Sequence, residues 1–311
     1  MSESTPDPRP PASRLKRGLT LLLVLALLGG AAYGVYAYWY LSLWKRFPVL
    51  PDTAPLPGLL VAHAGGAHGG HIYTNSLEAL DAAHAAGHRL IEVDFLFSSD
   101  RHLLVAHPHG LPDPKVIPSH AEFLASRPFG GLTTLDVEGL MRWLKAHPDV
   151  TLVTDLKADD DATFLRGMRA IRDAGPTLLD QILVQIFAPE QLALVIELGY
   201  PHVLFTLYHY KKLDRREQAL ILEFAIRERE RLVAITIHQS IAAHEPLTQK
   251  LVQAGLPVLA HTVNGLNAAR KLKAAGVVGI YSDQFQPGRE GFPPAEEVLP
   301  LLPALRQGRA R

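Results

Sequence analysis

The chain has 311 residues and balances 31 basic against 31 acidic side chains, which excludes the basic excess or stripe that broad nucleic-acid binding needs. It has no cysteine, so disulfides, thiolate metal sites and cysteine nucleophiles are excluded, although the redox compartment is not fixed. Fifteen histidines are many for this length.

Residues 1–17 are rich in proline and polar groups, and disorder on the cytoplasmic side is expected there. Gly18–Trp44 contains no charged residue and exceeds the roughly 20 apolar residues that a membrane span takes. Arg9, Arg14, Lys16 and Arg17 precede it, and Lys45 and Arg46 follow. That asymmetry favours a cytoplasmic N-terminus and a following domain outside. Tyr33, Tyr36, Tyr38, Trp39, Tyr40 and Trp44 crowd the distal end, as an interfacial aromatic belt does. A cleaved signal peptide and a buried core helix are the other readings. The run is longer than a signal-peptide apolar region and lacks a small-x-small cleavage site. The expectation is a single-pass signal anchor over 18–44 in the cell membrane, with an extracytoplasmic domain, periplasmic or extracellular. Pro48, Pro51, Pro55 and Pro57 make 45–58 a stiff linker.

Beyond it, short apolar runs alternate with helical patterns. The strands predicted are Leu59–His63, Leu90–Phe97, Thr151–Lys157, Ile182–Phe187, His202–Tyr208, Leu232–His238, Pro257–Val263 and Val277–Ser282. The helices predicted between them are Ser76–Ala86, Leu135–Ala146, Ala162–Ala174, Pro189–Leu198, Arg215–Arg229, Pro246–Ala254 and Leu266–Ala275. Gly87, Gly199, Gly255 and Gly276 follow four of these helices as stop signals. Eight strands with intervening helices match an α/β chain folded as a (β/α)8 TIM barrel over 59–287. A doubly wound open sheet is the alternative. Leu103–His107 is an extra short strand joined to Leu90–Phe97 through a turn at Ser98–Arg101. Residues 288–311 read as a loosely attached tail.

In a strand, residues two apart share a face. In Leu90–Phe95 the carboxylates Glu92 and Asp94 therefore lie opposite Ile91, Val93 and Phe95. Two like charges facing an interior call for a cation. Asp155 and Lys157 share a face of the next barrel strand in the same way, although as a pair in isolation they are equally readable as a simple ion pair. A barrel carries its active site at the C-terminal strand ends. His63 ends the first strand and His107 the extra one, so four segments converge on one mouth. Glu92, Asp94 and Asp155 are oxygen ligands suited to Mg²⁺ or Ca²⁺, and Lys157 offers a point charge for a phosphate oxygen. His63 and His107 suit acid and base roles near neutrality, in either assignment. The glycines of Gly65–Gly70 are readable as an anion-cradling nest or as a flexible loop. His68 and His71 are readable as phosphate or second-metal ligands or as exposed loop residues. His209 and His261 end later strands and are expected to line a substrate pocket.

Taken in order, these motifs resemble the glycerophosphodiester phosphodiesterase family, within the phosphatidylinositol phospholipase C-like superfamily. The counterparts are His63-Ala64-Gly65, Thr74-Asn75-Ser76, Glu92-Val93-Asp94, His107, Asp155-Leu156-Lys157, Thr262-Val263-Asn264 and Gly276 to Asp283. The resemblance implies metal ligation by Glu92, Asp94 and Asp155, catalysis by His63, His107 and Lys157, and substrate contacts from Asn75. Two positions depart from the family pattern. Ala64 stands where a phosphate-binding arginine is usual, and Thr74 where a glutamate is usual. The Asp-Leu-Lys strand is similar to the sphingomyelinase D and phospholipase D toxin branch.

The implied activity is hydrolysis of a glycerophosphodiester to glycerol phosphate and an alcohol, dependent on Mg²⁺ or Ca²⁺. A phospholipase C/D-like enzyme acting on intact membrane phospholipid and a non-catalytic ligand-binding relative are the alternatives. The partners expected are that substrate and the membrane, with no nucleic acid and no obligate protein partner. Asp94→Asn and Glu92→Gln are both expected to keep or raise stability by relieving repulsion in the empty site.

Overall fold

The computed structural model describes residues 12–45, 51–207, 214–242 and 246–294. One unit holds a single 34-residue helix, α1 (Ala12–Lys45). Its described side chains, 20–36, are all exposed. Among the described residues no helix is long and apolar enough to cross a membrane. The expected transmembrane span is therefore not found: the stretch with described side chains falls short of the roughly 20 residues a crossing takes.

The other unit begins at Leu50. Its strands are β1 (Leu59–Ala62), β2 (Leu90–Phe97), β3 (Leu103–Val105), β4 (Leu135–Asp136), β5 (Thr151–Leu156), β6 (Ile182–Ile186), β7 (His202–Thr206), β8 (Leu232–His238), β9 (Val258–His261) and β10 (Gly279–Ser282). Strands β1, β2, β5, β6, β7, β8, β9 and β10 run parallel in that order, and β1 pairs with both β10 and β2, closing the ring. Helices follow the strands, as in a (β/α)8 barrel. The ring closes at both ends, so the open-sheet alternative is excluded.

Alternation along each strand divides the core in two. Ile91, Val93, Leu152, Ile182, Val184, Ile235 and Val258 face outward and are buried with the helix side chains. Leu59, Val61, Leu90, Val153, Leu183, Leu204, Ala234 and Leu259 fill the lower bore. Above that apolar plug the same inward positions become polar: Glu92, Asp94, Asp155, Gln185, Thr206 and Thr236 are all buried. The bore thus has an apolar floor, and its inward polar groups lie at the top.

Strands β3 and β4 add an antiparallel extension to β2, with Phe95 opposite Val105 and Val105 opposite Leu135. Leu135–Asp136, expected to begin a helix, is this strand instead. The helix starts at Val137, because the Asp136 carboxylate accepts the Gly139 N–H and caps it. The expected stiff linker and the expected loose tail are both docked where they are described. Arg270 reaches Asp52 in the linker, donating to its carbonyl at 2.7 Å, and Leu56 is buried. At the start of the tail Phe292 is 3 % exposed and packs on Phe285 with ring centroids 4.9 Å apart.

Candidate active site

The site grows from three neighbouring strands. Asp94 on β2 and Asp155 on β5 are register partners, so both carboxylates project into the bore side by side. Glu92 lies one inward step deeper. Carboxylate oxygens of Glu92, Asp94 and Asp155 come within 4.8 Å of one another, and all three residues are buried. Lys157, just past β5, donates to Asp94 Oδ1 at 2.8 Å and to Asp155 Oδ2 at 2.9 Å. The Asp155–Lys157 ion pair is thus present, and it extends to Asp94.

The two members of the Glu-x-Asp pair differ. Glu92 Oε2 accepts the Ala64 N–H at 2.8 Å, whereas Glu92 Oε1 is buried without a hydrogen-bond partner. Burial and the adjacent Asp94 charge push the Glu92 carboxyl well above its ordinary range. Burial also works against ionised Asp94, but Lys157, His107 and His63 outweigh it and hold that carboxyl below its ordinary range. An orphaned oxygen amid three buried carboxylates is the donor set of a hard divalent cation, and the residues fit one.

Asn75 is fully buried. Its amide nitrogen donates to Asp94 Oδ2 at 3.0 Å and its carbonyl oxygen accepts the Asp94 N–H at 2.9 Å. Asn75 thus holds Asp94 at its carboxylate and its backbone. Thr74 is buried and accepts from the Ser76 hydroxyl, which itself caps α2 (Leu77–Ala85).

His63 follows β1 and its Nδ1 meets Asp283 Oδ1 at 2.7 Å. Asp283, just past β10, is held in turn by Asn264, which donates to Oδ2 at 2.6 Å and accepts the Asp283 N–H at 2.9 Å. Burial opposes charge on His63, but the Asp283 bond and the carboxylates Glu92 and Asp94 prevail and raise its pKa to about 9. His107 stands on the facing loop as the cap of a short turn, Pro108–Gly110, its Nδ1 accepting the His109 N–H at 3.0 Å. Burial lowers its pKa to about 4; Lys157 and His109 add to the effect, and Asp94 and Asp155 only partly offset it. One imidazole is thus charged at neutrality and the other neutral.

The Gly65–Gly70 loop spends much of its backbone internally. The N–H groups of Ala64, Gly66 and Ala67 go to Glu92, the His63 carbonyl and the Asp283 carbonyl, which removes them from an anion nest. His68 and His71 bridge one another through their backbones. Ala64 is itself fully buried, so no side chain there reaches a phosphate. His261 ends β9 beside His238 on β8, ring centroids 5.6 Å apart; both sit at inward positions of the mouth. His209 lies outside the described residues. Three residues near the histidines were given no role by sequence reasoning: Asp283, Asn264 and Tyr73. For Asp283 the available signal was its position at the end of the last barrel strand.

No protein-family description matches this chain, and no curated protein does. Solved structures do. A candidate glycerophosphoryl diester phosphodiesterase from Silicibacter pomeroyi is 18 % identical with a TM-score of 0.60, over 80 % of this chain and 95 % of that one. A glycerophosphodiester phosphodiesterase from Parabacteroides distasonis is 18 % identical with a TM-score of 0.58, over 74 % and 94 %. An Oleispira antarctica phosphodiesterase in complex with the product sn-glycerol-3-phosphate is 20 % identical with a TM-score of 0.57, over 73 % and 93 %. At these identities the likeness establishes a shared barrel fold.

Proposed function

We propose that this chain is a metal-dependent phosphodiesterase that hydrolyses glycerophosphodiesters to glycerol phosphate and an alcohol. The observation that carries this reading is a pair of imidazoles at one mouth, His63 bonded to Asp283 and both rings against Tyr73, beside a buried carboxylate cluster with an orphaned oxygen; in the metal-free protein His63 is raised and His107 lowered. The diesterase names of the structures that share its fold, one of them holding sn-glycerol-3-phosphate, support the same substrate class.

His63 is the group suited to give a proton. Its Nδ1 is fixed on Asp283, which leaves Nε2–H for the departing alkoxide. Neutral His107 is the group suited to take the proton from an attacking oxygen. In the resting ring the His109 N–H on Nδ1 places the proton on Nε2. Acting as base at Nε2 requires the other tautomer, and that releases one hydrogen bond worth about 0.5–1.5 kcal/mol net. Lys157 neutralises Asp94 and Asp155 and offers charge to a phosphate oxygen. A divalent cation, Mg²⁺ or Ca²⁺, held by Glu92, Asp94 and Asp155 would stabilise the charge that develops on the phosphate.

A second reading, action on intact phospholipid, is favoured by Ile72, Val116 and Ile117. These exposed apolar side chains lie on the same loops as Tyr73 and His107. We also propose that α1 anchors the chain in a membrane, with the barrel outside the cytoplasm. Leu21, Leu22, Leu23, Leu25, Leu27 and Leu28 are each more than half exposed, a surface that water does not favour. Reporters fused at Arg311 test the side, and a cytoplasmic signal would reverse it.

The deciding assay uses the full chain with glycerophosphodiesters and phospholipid vesicles, with Mg²⁺ or Ca²⁺ and then after exhaustive chelation. Cation-dependent release of glycerol phosphate is expected. Undiminished turnover after chelation removes the metal role, preference for vesicles selects the second reading, and no release from any diester sinks the proposal.

A further inference from the structure

Tyr73 occupies a place that the acid–base mechanism does not explain. Its backbone is left-handed at φ 58°, a conformation that costs a non-glycine residue and persists only when its surroundings impose it. Its ring lies against both imidazoles, tilted on His107 at 4.6 Å between centroids and edge-on to His63 at 5.0 Å. A third contact, at 5.8 Å, is to His109. The Tyr73 carbonyl meanwhile presses on the turn after His107: a Cβ added at Gly110 would stand 2.5 Å from that oxygen. The β1 loop and the β3 loop are thus locked together at two points, one backbone and one ring.

The other ring against His107, that of His109 at 4.7 Å between centroids, belongs to the same short turn and moves with it. The His107 Nδ1 bond comes from that turn too, two residues on, and does not tie the ring to the rest of the barrel. His63 is tied through Asp283. A proton relay across a phosphate needs both rings within hydrogen-bond reach of opposite oxygens, and small misplacements are costly. We propose that Tyr73 is a positioning residue for the acid–base pair. Its aromatic face sets the orientation of His107, its edge braces His63, and Gly110 is glycine so that the Tyr73 carbonyl can seat the loop. The proposal deepens the phosphodiesterase reading. The ring carries the role, so the hydroxyl is dispensable.

The test compares Tyr73→Phe, Tyr73→Leu and Gly110→Ala in the full chain, by kcat and KM on a glycerophosphodiester and by the histidine Cε1–H resonances, with the His107 signal assigned by its loss in His107→Gln. All three Tyr73 side chains meet the same backbone strain, so differences among them report the ring. Tyr73→Leu should lower kcat about 10- to 100-fold, the scale of lost orientation, with KM changed less than about threefold, and should move the His107 resonance as the ring current disappears. Tyr73→Phe should recover most of the lost kcat and keep the resonance in place. Gly110→Ala should behave as Tyr73→Leu does. An unmoved His107 resonance in Tyr73→Leu overturns the proposal, as does a Tyr73→Phe variant as impaired as Tyr73→Leu. If wild type cleaves no diester, the phosphodiesterase reading fails separately, while the His107 resonance in Gly110→Ala, which keeps the Tyr73 ring, still decides the proposal: a moved signal supports the seat and an unmoved one overturns it.

Discussion

The two histidine-bearing loops at the barrel mouth start from the same side chain and diverge. On the β1 side, His63 leans on the buried carboxylate of Asp283, whose other oxygen and backbone N–H are both held by Asn264. On the β3 side, His107 leans on a backbone N–H of its own turn and faces Lys157 and His109. An imidazole that ordinarily titrates near 6.5 goes to about 9 in the first setting and about 4 in the second. The group behind the ring, more than depth in the barrel, decides which histidine carries charge.

The strongest way to test that division is to remove the rings. His63→Ala and His107→Ala should each lower turnover about 10²- to 10⁴-fold, the usual scale of a general acid or base. Added imidazole should restore part of the rate in assays of the variants. Equal turnover by wild type and His63→Ala would take His63 out of the mechanism.

Next in size is a contrast within the carboxylate pair. Sequence reasoning expects both amide variants to keep or raise stability. The environments call for a correction: Asp94 is held ionised by Lys157 and bonded twice by Asn75, whereas burial and Asp94 itself push Glu92 toward its neutral form. In metal-free protein, Glu92→Gln should leave the melting temperature unchanged or higher. Asp94→Asn should cost about 1–3 kcal/mol, as loss of a partner to a buried charge does. Denaturant melts of the two variants in chelator check it, and equal effects would erase the distinction.

Asp283→Asn sharpens the comparison more gently, lowering turnover about 10- to 100-fold, the range for groups that orient a functional imidazole. It also has a pH signature. His63 is raised on folding, so its contribution is complete below about 6.5 and is lost as pH rises toward about 9. His107 is lowered, so its contribution is complete above about 6.5 and is lost as pH falls toward about 4. Melting temperatures of metal-free wild type should therefore decline on both sides, with raised Glu92 adding to the decline as pH rises, and Asp283→Asn should lessen the alkaline decline. The smallest effect is expected from His109→Pro, which deletes the N–H on His107 Nδ1 and the ring 4.7 Å from it and should change turnover by about fivefold, the scale of a bond worth about 1 kcal/mol.

Much of this site was legible because strands repeat every two residues. Glu92 with Asp94, and Asp155 with Lys157, declare their shared face by spacing alone, and His63 and His107 end apolar runs. Other parts depend on contacts that spacing does not encode. Asp283 lies 220 residues from His63 and becomes its partner only when β10 closes on β1. Asn75 reads as a ligand to substrate, and its two bonds to Asp94, made from a left-handed backbone at φ 47°, are not encoded by spacing. The linker reads as stiff from its prolines and the tail as loose, and neither reading shows the contacts that dock them: Asp52 to Arg270 and buried Leu56 in the linker, Phe292 to Phe285 in the tail.

The antiparallel pairing of β3 with β2 has a consequence for which insertions and deletions the protein tolerates. Val105 sits opposite Phe95, so His107, two residues on, is measured off from Asp94 along the same strand that holds it. A one-residue slip would turn β3 inside out, and a two-residue slip, which preserves its faces, would carry His107 about 7 Å along the strand. The Ser98–Arg101 turn therefore serves as a gauge block for the distance between His107 and the carboxylates, and it is clamped in turn by Pro118 and His120, whose backbones bond Ser99 and Asp100, so a length change there would disturb both ends of the loop that carries His107.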